Sequence, residues 1–503
     1  MLRRLWNSPY LFFGLAALGV LVAIFAQLEI DFPKRPAGTP EEISLLAERD
    51  DLNLVFIVID TLRSDRLGSY GYDRDTSPAM DAIARAGIRF DKVESQSSWT
   101  KASMASLWTG MYPRTTGVDH FAHALPQEAL MPAEILKEAG FQTGGIFRNG
   151  WLMPNFGFSQ GFDLYVRPRA RYREGQLQQE SPLMRQLQGN DLDVTESAIE
   201  FIRSNKSERF FLYLHLMDVH QYLYDDKSAL FGSGYSDIYD NSIHWVDRNI
   251  SEVVHELESL GIADKTIVVL AADHGEAFSE HGVEGHARNL FGEVQNVPLI
   301  MSLPFILEPG IEVKTRVANV DIWPTLLDLM GLPSLPGAEG QSLLPLIAAA
   351  AKGDESTAGE LANRPVYSQL NKAWGQPPRE EKIHLVSVVQ EPYRFIWLEP
   401  VGKAALFDHG SDPTEQNSLA QTEDEIVADR IAEFKDTVAT FIGQAEPAWG
   451  DAPEVEISEL RLGQLRALGY AVPEMKNPKR ESQLKREERA RKEALNAEAA
   501  EAP

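Results

Sequence analysis

The sequence predicts an α/β protein with a mostly parallel central sheet flanked by helices, followed by a smaller C-terminal unit of antiparallel sheet plus helix. Three observations predict it. Leu54–Ile59, Phe210–Leu216 and Thr266–Ala271 are continuous apolar runs of the kind found in strands buried on both faces. Helix-like stretches such as Ser77–Ala86 and Asp193–Ser204 lie between them, and this alternation extends the α/β core over roughly residues 50–330. Beyond residue 365 the texture changes to the short alternating strands His384–Val389 and Tyr393–Leu398, joined by a turn around Pro392. Ala405–Phe407, the turn-rich His409–Pro413 and a helix near Glu425–Ile442 complete that smaller unit.

Each of the three buried runs stops at or near an acid: Asp60, Asp218 and Asp273. In doubly wound sheets ligands bind beyond the carboxyl ends of the strands. One Asp after a strand is ordinary turn chemistry; three of them deliver carboxylates to one edge. Asp273-His274 can reach a single divalent ion through a carboxylate oxygen and a neutral imidazole nitrogen. Ser98-Trp99-Thr100-Lys101-Ala102-Ser103 opens a helix running toward Thr109-Gly110.

The chain has 503 residues, more than one core usually organises, and its hydrophobic fraction of 44% is ordinary for globular proteins. A net charge of −26 argues against nucleic acid as a partner, since no general excess of positive charge meets phosphates. It also requires local positive charge, most simply a bound cation, wherever an anionic substrate is held. The absence of cysteine excludes disulfides, thiolate metal sites and cysteine nucleophiles.

Arg3 and Arg4 precede an apolar stretch from Tyr10 to Ala26 that stays uncharged until Glu29. This predicts an N-terminal membrane anchor over residues 1–30, with a cleavable signal peptide as the rival reading, and a domain outside the cytoplasm. Residues 31–50 read as a linker, 51–345 as the main domain, 365–470 as the C-terminal subdomain and 471–503 as a charged tail, helical or disordered. No protein partner is indicated.

The ordered set of motifs resembles the sulfatase family of the alkaline-phosphatase superfamily. Asp60-Thr61-Leu62-Arg63-Ser64-Asp65 is similar to its first metal-binding segment, and Thr100 through Met111-Tyr112-Pro113 to its nucleophile helix, with Thr100 at the nucleophile position. His215-Leu216-Met217-Asp218-Val219-His220 resembles its central substrate-binding segment. Asp273-His274-Gly275-Glu276 to His281-Gly282 resembles its second metal segment. Asn319 to Thr325, Gly340 to Leu343, and Leu406-Phe407-Asp408 with Ser411 to Asn417 match later family stretches. The resemblance implies an alkaline-phosphatase-like fold and metal-dependent cleavage of an anionic sulfate or phosphate ester. It implies one or two divalent ions (Ca, Mg, Mn or Zn) held by Asp60, Thr100, Asp273 and His274. His220, His286 and Asp218 are then substrate ligands, with His220 also the acid, and Lys101 supplies positive charge beside Thr100.

The departures bear on the chemistry. Family sulfatases carry Cys or Ser followed by x-Pro-x-Arg and convert the first residue to formylglycine; here Thr100 is followed by Ala102 and Met104. A threonine ester lacks the second hydroxyl through which the aldehyde hydrate expels sulfate, so a phosphate ester or diester is the preferred substrate. Two alternatives are a transferase of phospho-alcohol head groups and a non-catalytic binding protein. Asp65, Arg63, His281 and His120 read as salt-bridge or loop residues and Trp99 as packing. Specificity is expected in loops 167–190 and 221–240, whose sequences show no interpretable pattern.

Overall fold

A computed structural model describes residues 35–170, 189–371, 384–398, 402–444, 446–457 and 462–463. In chain order the main-domain strands are β1 (Asn53–Ile59), β2 (Ile88–Glu94), β3 (Gln142–Ile146), β4 (Leu164–Val166), β5 (Phe210–Leu216) and β6 (Thr266–Ala272). They continue with β7 (Ala277–Phe278), β8 (Glu284–Gly285), β9 (Asn296–Ser302), β10 (Ile311–Val313) and β11 (Val317–Ala318). The large sheet has the order β10-β2-β9-β6-β1-β5-β3-β4, with β11 also paired to β2, while β7 and β8 form a separate hairpin. Every pairing in the large sheet is parallel except those of β9.

The three apolar runs lie side by side at the centre as β6, β1 and β5, and every residue of each is buried. Their register fixes the site. Ile59 opposes Leu216 on one side and Ala272 on the other, so the residues that follow all three emerge at one edge. Ile146 of β3 opposes Leu214, which brings Phe147-Arg148-Asn149 to the same edge.

Helices Pro78–Arg85, Asp191–Asn205 and Tyr235–Ser259 pack together in one group, and Thr100–Thr109 packs with Ile322–Leu329 in another. The second group encloses an aromatic centre. Trp108 stacks on Trp323 (centroids 5.2 Å apart, 21° between planes) and meets Phe56 and Tyr213 edge-on at 5.9 and 4.9 Å. Such pairs add about 0.5–1.5 kcal/mol each beyond area burial. This anchors the helix that begins at Thr100.

The C-terminal unit is an antiparallel sheet in the order β12 (Val366–Leu370), β13 (Leu385–Gln390), β14 (Tyr393–Leu398), β15 (Lys403–Asp408), covered by helix Glu425–Gly443. The alternating pattern revealed β13 to β15; β12 was not foreseen. Val386, Val388, Phe395 and Leu406 pack with Phe434, Val438 and Phe441, and Tyr112 and Val320 of the main domain join this second core.

Two expectations change. The stretch read as a linker contains a 3-10 helix, Pro40–Glu48, whose Ile43 and Leu46 are buried in the main core. The membrane-anchored localisation is corrected: among the described residues no helix is long and apolar enough to cross a membrane. The longest, Tyr235–Ser259, carries polar residues throughout and is amphipathic. Residues 1–34, on which that reading rested, lie outside the described residues, as does the charged tail 471–503.

Candidate active site

Asp60 follows β1 with its backbone N–H donated to Leu216 O (2.9 Å), and Asp273 follows β6. Thr61 turns the chain sharply after Asp60 in the left-handed region (φ 62°), an unusual conformation for a β-branched residue. Its N–H donates to Asp273 Oδ1 (3.2 Å), so the strained turn ties one carboxylate segment to the other. Gly275 has a different reason: a Cβ there would meet Glu293 O at 2.2 Å, which only glycine avoids.

Thr100 is the first residue of helix Thr100–Thr109 and is fully buried. Ser103 Oγ donates to Asp273 O (2.6 Å), fixing that helix to the end of β6. Thr100 Oγ1 consequently lies 3.2 Å from His274 Nε2. His274 Nδ1 is 2.9 Å from Gly275 O, an acceptor, so Nδ1 carries the proton. In the neutral ring the Nε2 lone pair is then directed toward Thr100, available to a hydroxyl proton or a cation.

Asp60, Asp273 and His274 each offer a ligand atom, all within 4.8 Å of one another, and all three residues are buried. Asp60 Oδ1 and Asp273 Oδ2 accept no hydrogen bond. Burial, and then the neighbouring Asp273 charge, push the Asp60 carboxyl well above the usual carboxylate range. Two dry carboxylates with unused oxygens beside an imidazole lone pair form a donor set that suits a divalent cation. The predicted metal residues are thus brought together, with the Thr100 hydroxyl facing them.

His286 reaches the site because Ala287 N–H donates to Ser98 O (2.7 Å), pinning its loop just ahead of Thr100. The His286 ring centroid lies 4.6 Å from that of His274 and 5.0 Å from that of His220. His286 Nδ1 is 3.2 Å from Glu276, whose carboxyl burial pushes up to about 7. Burial, then the His286 charge, depress His220 to about 3, so its ring is neutral near pH 7. Both predicted substrate-side histidines therefore cluster beside His274.

Two predicted residues stand differently. Asp218 is at the correct strand end, but both oxygens are engaged, by Arg148 on one side and by Asp191 N (3.0 Å) and Trp245 Nε1 (2.8 Å) on the other. It anchors Arg148 instead of presenting a carboxylate to substrate. Lys101 Nζ donates to Phe121 O (2.5 Å) and His123 O (2.7 Å) and sits 4.0 Å from the Phe156 ring centroid. Burial holds this ammonium well below the ordinary lysine range, and its donors serve the fold, not the pocket beside Thr100. Arg63, read as structural, pairs with Asp65 and Glu280.

Three residues carried no individual role in the sequence reading. Asn149 Nδ2 donates to Asp60 Oδ2 (2.6 Å) and lies 3.5 Å from Thr100 Oγ1, bridging a carboxylate and the hydroxyl. Arg148 donates to Asp191, Asp218 and Gln221, tying the end of β3 to the turn that carries His220. His215 is buried on β5 with Nε2 3.9 Å from Asp60 Oδ2. Nothing in the string Phe-Arg-Asn-Gly separates a site residue from a turn.

Comparisons with known proteins identify the family. Residues 52–332 match the family model for sulfatases, and residues 279–440 match that for the C-terminal part of N-sulphoglucosamine sulphohydrolase. An ulvan-active sulfatase from Formosa agariphila is 25% identical over 411 residues, 73% of this chain and 76% of that protein. An N-acetylgalactosamine-6-sulfatase from Rattus norvegicus is 26% identical over 369 residues, 63% of this chain and 67% of that one. The solved phosphonate monoester hydrolase of Agrobacterium radiobacter superposes with a TM-score of 0.60 at 16% identity, over 78% of this chain and 96% of its own, a likeness of fold. By fold, by motif order and by the match across most of its main domain, this chain belongs to the sulfatase family of ester hydrolases.

Proposed function

We propose that the chain hydrolyses an anionic ester through a covalent intermediate on Thr100, with a phosphate ester or diester preferred to a sulfate ester. One observation supports this above the others: a buried threonine hydroxyl at a helix N-terminus lies 3.2 Å from the lone pair of His274. The same hydroxyl faces two carboxylates with unused oxygens. A divalent ion held by Asp60, Asp273 and His274, with Thr100 beside it, would lower the pKa of the hydroxyl and offset charge on the ester.

The chain's own groups do the rest. Asn149 holds Asp60 and the Thr100 oxygen in mutual orientation. The first N–H groups of helix Thr100–Thr109 favour the anionic centre. Thr100 Oγ1 attacks the phosphorus or sulfur as its proton passes to the neutral His220, the bond to the leaving oxygen breaks, and His220 hands that proton on to the leaving oxygen. His286, oriented by Glu276, holds a non-bridging oxygen. Water then attacks the esterified centre and restores the Thr100 hydroxyl.

The phosphate preference follows from Thr100 itself. With no second hydroxyl on the nucleophile, release requires water to displace threonine at the esterified centre, a route phosphorus tolerates better than sulfur. The Agrobacterium neighbour is named for a phosphonate monoester and the rat relative for a sugar sulfate, and both stand as substrate classes to be tried. The test strips the protein of metal, resupplies Mg, Ca, Mn or Zn, and follows nitrophenol release from aryl sulfate, aryl phosphate and bis-aryl phosphate, with Thr100→Ala alongside. Metal-dependent turnover of a phosphate substrate, abolished by Thr100→Ala, is expected. Turnover of the sulfate alone overturns the preference, and undiminished activity of Thr100→Ala overturns the nucleophile.

A further inference from the structure

A buried imidazole at the end of β5 plays no part in the chemistry above. His215 is the penultimate residue of Phe210–Leu216 and is fully buried. The parallel register sets it opposite Val58 of β1. Paired side chains share a face of the sheet, and so do residues two apart along a strand, which puts His215 on the face of Asp60. Neither ring nitrogen of His215 has a hydrogen-bond partner among the described residues. A buried polar group left in that state is costly and uncommon. Tyr213, two residues earlier, meets the ring edge-on with centroids 6.3 Å apart, and Nε2 lies 3.9 Å from Asp60 Oδ2.

Asp60 itself is held everywhere except at its carboxyl. Its N–H donates to Leu216 O (2.9 Å), next to His215, and its carbonyl accepts from Thr61 Oγ1 (2.7 Å). With the backbone fixed, the orientation of the carboxyl decides which oxygen can meet a cation. Oδ2 accepts from Asn149 Nδ2 (2.6 Å) and faces His215, whereas Oδ1 accepts nothing. A carboxylate oxygen has two lone pairs, so Oδ2 keeps room for a second donor. The imidazole stands about 1 Å beyond the length of such a bond.

We infer that His215 is a positioning residue of the metal centre: with Asn149 it holds Asp60 Oδ2, donating through Nε2–H, so that Oδ1 is kept for the divalent ion. This rests on the reading of Asp60, Asp273 and His274 as the ligands. The ligand atoms of those three converge within 4.8 Å of one another and His215 stands outside the group, which makes it a support for a ligand and not a ligand. Its complete burial in the strand likewise keeps it from substrate. Outer partners of this kind orient a ligand before the ion arrives, and losing one weakens metal binding by about 10–100-fold.

The test uses the full chain freed of metal, with Mn2+ as the probe and unbound Mn2+ read from its electron paramagnetic resonance signal. His215→Phe keeps the bulk of the ring without a donor, His215→Gln offers an amide N–H in its place, and Asp60→Asn alters a ligand. His215→Phe should raise the Kd for Mn2+ about tenfold or more, and His215→Gln should bind within about threefold of the parent. In chelator the thermal midpoint of His215→Phe should equal or exceed the parental one, because an unpaired buried imidazole has been removed. Electron spin-echo spectra should count one bound imidazole in the parent and in His215→Phe alike. An unchanged Kd in His215→Phe overturns the inference, as does a lowered midpoint in chelator with no change in Mn2+ affinity, the mark of a merely structural residue. Two imidazoles in the parent and one in His215→Phe would put His215 on the ion and overturn the supporting role. No Mn2+ binding by the parent overturns the metal centre and this role together. Binding that Asp60→Asn abolishes and His215→Phe leaves intact overturns the role of His215 alone.

Discussion

Thr100 Oγ1 sits 3.2 Å from His274 Nε2, while the opposite ring nitrogen of His274 is committed to Gly275 O. The carbonyl fixes the tautomer and so fixes which nitrogen faces the hydroxyl. Thr100→Ala removes the attacking oxygen and is expected to lower kcat by about 10³-fold or more, with the thermal midpoint little changed. Thr100→Ser keeps the oxygen and should retain activity within about tenfold. Burst kinetics with an aryl phosphate, or mass spectrometry of acid-quenched enzyme, should show the phosphorylated species in the parent and Thr100→Ser alone. Equal activity of the alanine variant would remove Thr100 from the chemistry.

Asp60 and Asp273 face one another with unused oxygens in a dry site. Their mutual repulsion should be relieved by a bound cation, so chelation is expected to lower the thermal midpoint and divalent metal to restore it. At 100 times its Kd, an ion contributes about 2.7 kcal/mol. Asp60→Asn removes one buried charge. In chelator the variant should be more stable than the parent, by on the order of 1 kcal/mol, while losing the metal-dependent rise. Calorimetric scans with and without metal distinguish these outcomes. A full metal response in Asp60→Asn would mean that Asp60 is not a ligand.

Much of this was legible because the informative patterns are local. A parallel strand buried on both faces must be apolar throughout, so β1, β5 and β6 announce themselves, and an acid at their ends marks the edge. The short or half-buried strands β2, β3, β4 and β12 carry no such run; β3 even contains Gly144-Gly145, where a Cβ would strike Phe201 or Tyr165. The site split the same way. Asp60, Asp273 and His274 stood out because they follow strands, whereas Thr100 was singled out by its resemblance to the sulfatase nucleophile position. Asn149 and Arg148 were missed because their roles depend on β3 lying beside β5, a juxtaposition made by the sheet order. Lys101 misled for a related reason. Adjacency to Thr100 in sequence suggests a shared pocket, but the helix turns its side chain to the Phe121 and His123 carbonyls.

Arg148 makes a separate prediction. It is buried and bound to Asp191 (2.8 Å), Asp218 and Gln221 (2.6 Å), while Asp191 also accepts from Met217 N and Asp218 N. This knot holds Asn149 at one end and the His220 turn at the other. Arg148→Met leaves two buried carboxyls without their cation and should cost about 3–5 kcal/mol in stability. Arg148→Lys keeps the charge but not the fork, and should lose less stability while lowering kcat more than it raises KM. A lysine variant with parental kcat would show that the knot does not position the site.

The junction between the two units predicts a pH optimum of stability. Arg394 and Glu94 are fully buried, and Arg394 Nε donates to Glu415 (2.6 Å), which also accepts from Gly292 N (2.9 Å) and pairs with His409 (2.9 Å). Burial opposes ionisation of Glu415, but the Arg394 and His409 contacts prevail and hold its pKa at about 2. His281, stacked on Phe291, bonds Glu293 (2.8 Å) and Glu415 O (2.9 Å); burial opposes its charging, yet the Glu293 carboxylate raises it above the ordinary imidazole value. His409 is raised in the same way by Glu391 and Glu415, against burial and the charges of Arg394 and Arg316. Glu415, with its pKa lowered on folding, stabilises fully above the unfolded value of about 4.3 and loses that contribution as pH falls toward 2. The two histidines, with pKa values raised on folding, stabilise fully below about 6.5 and lose their contribution as pH rises through the folded values. The junction's own contribution to stability should therefore peak between roughly pH 4.5 and 6.5. Glu415→Gln should lower that peak by about 3 kcal/mol and flatten the acid limb, and His281→Asn should flatten the alkaline limb. Parallel pH profiles for the parent and both variants would show that these groups do not set the stability of the junction.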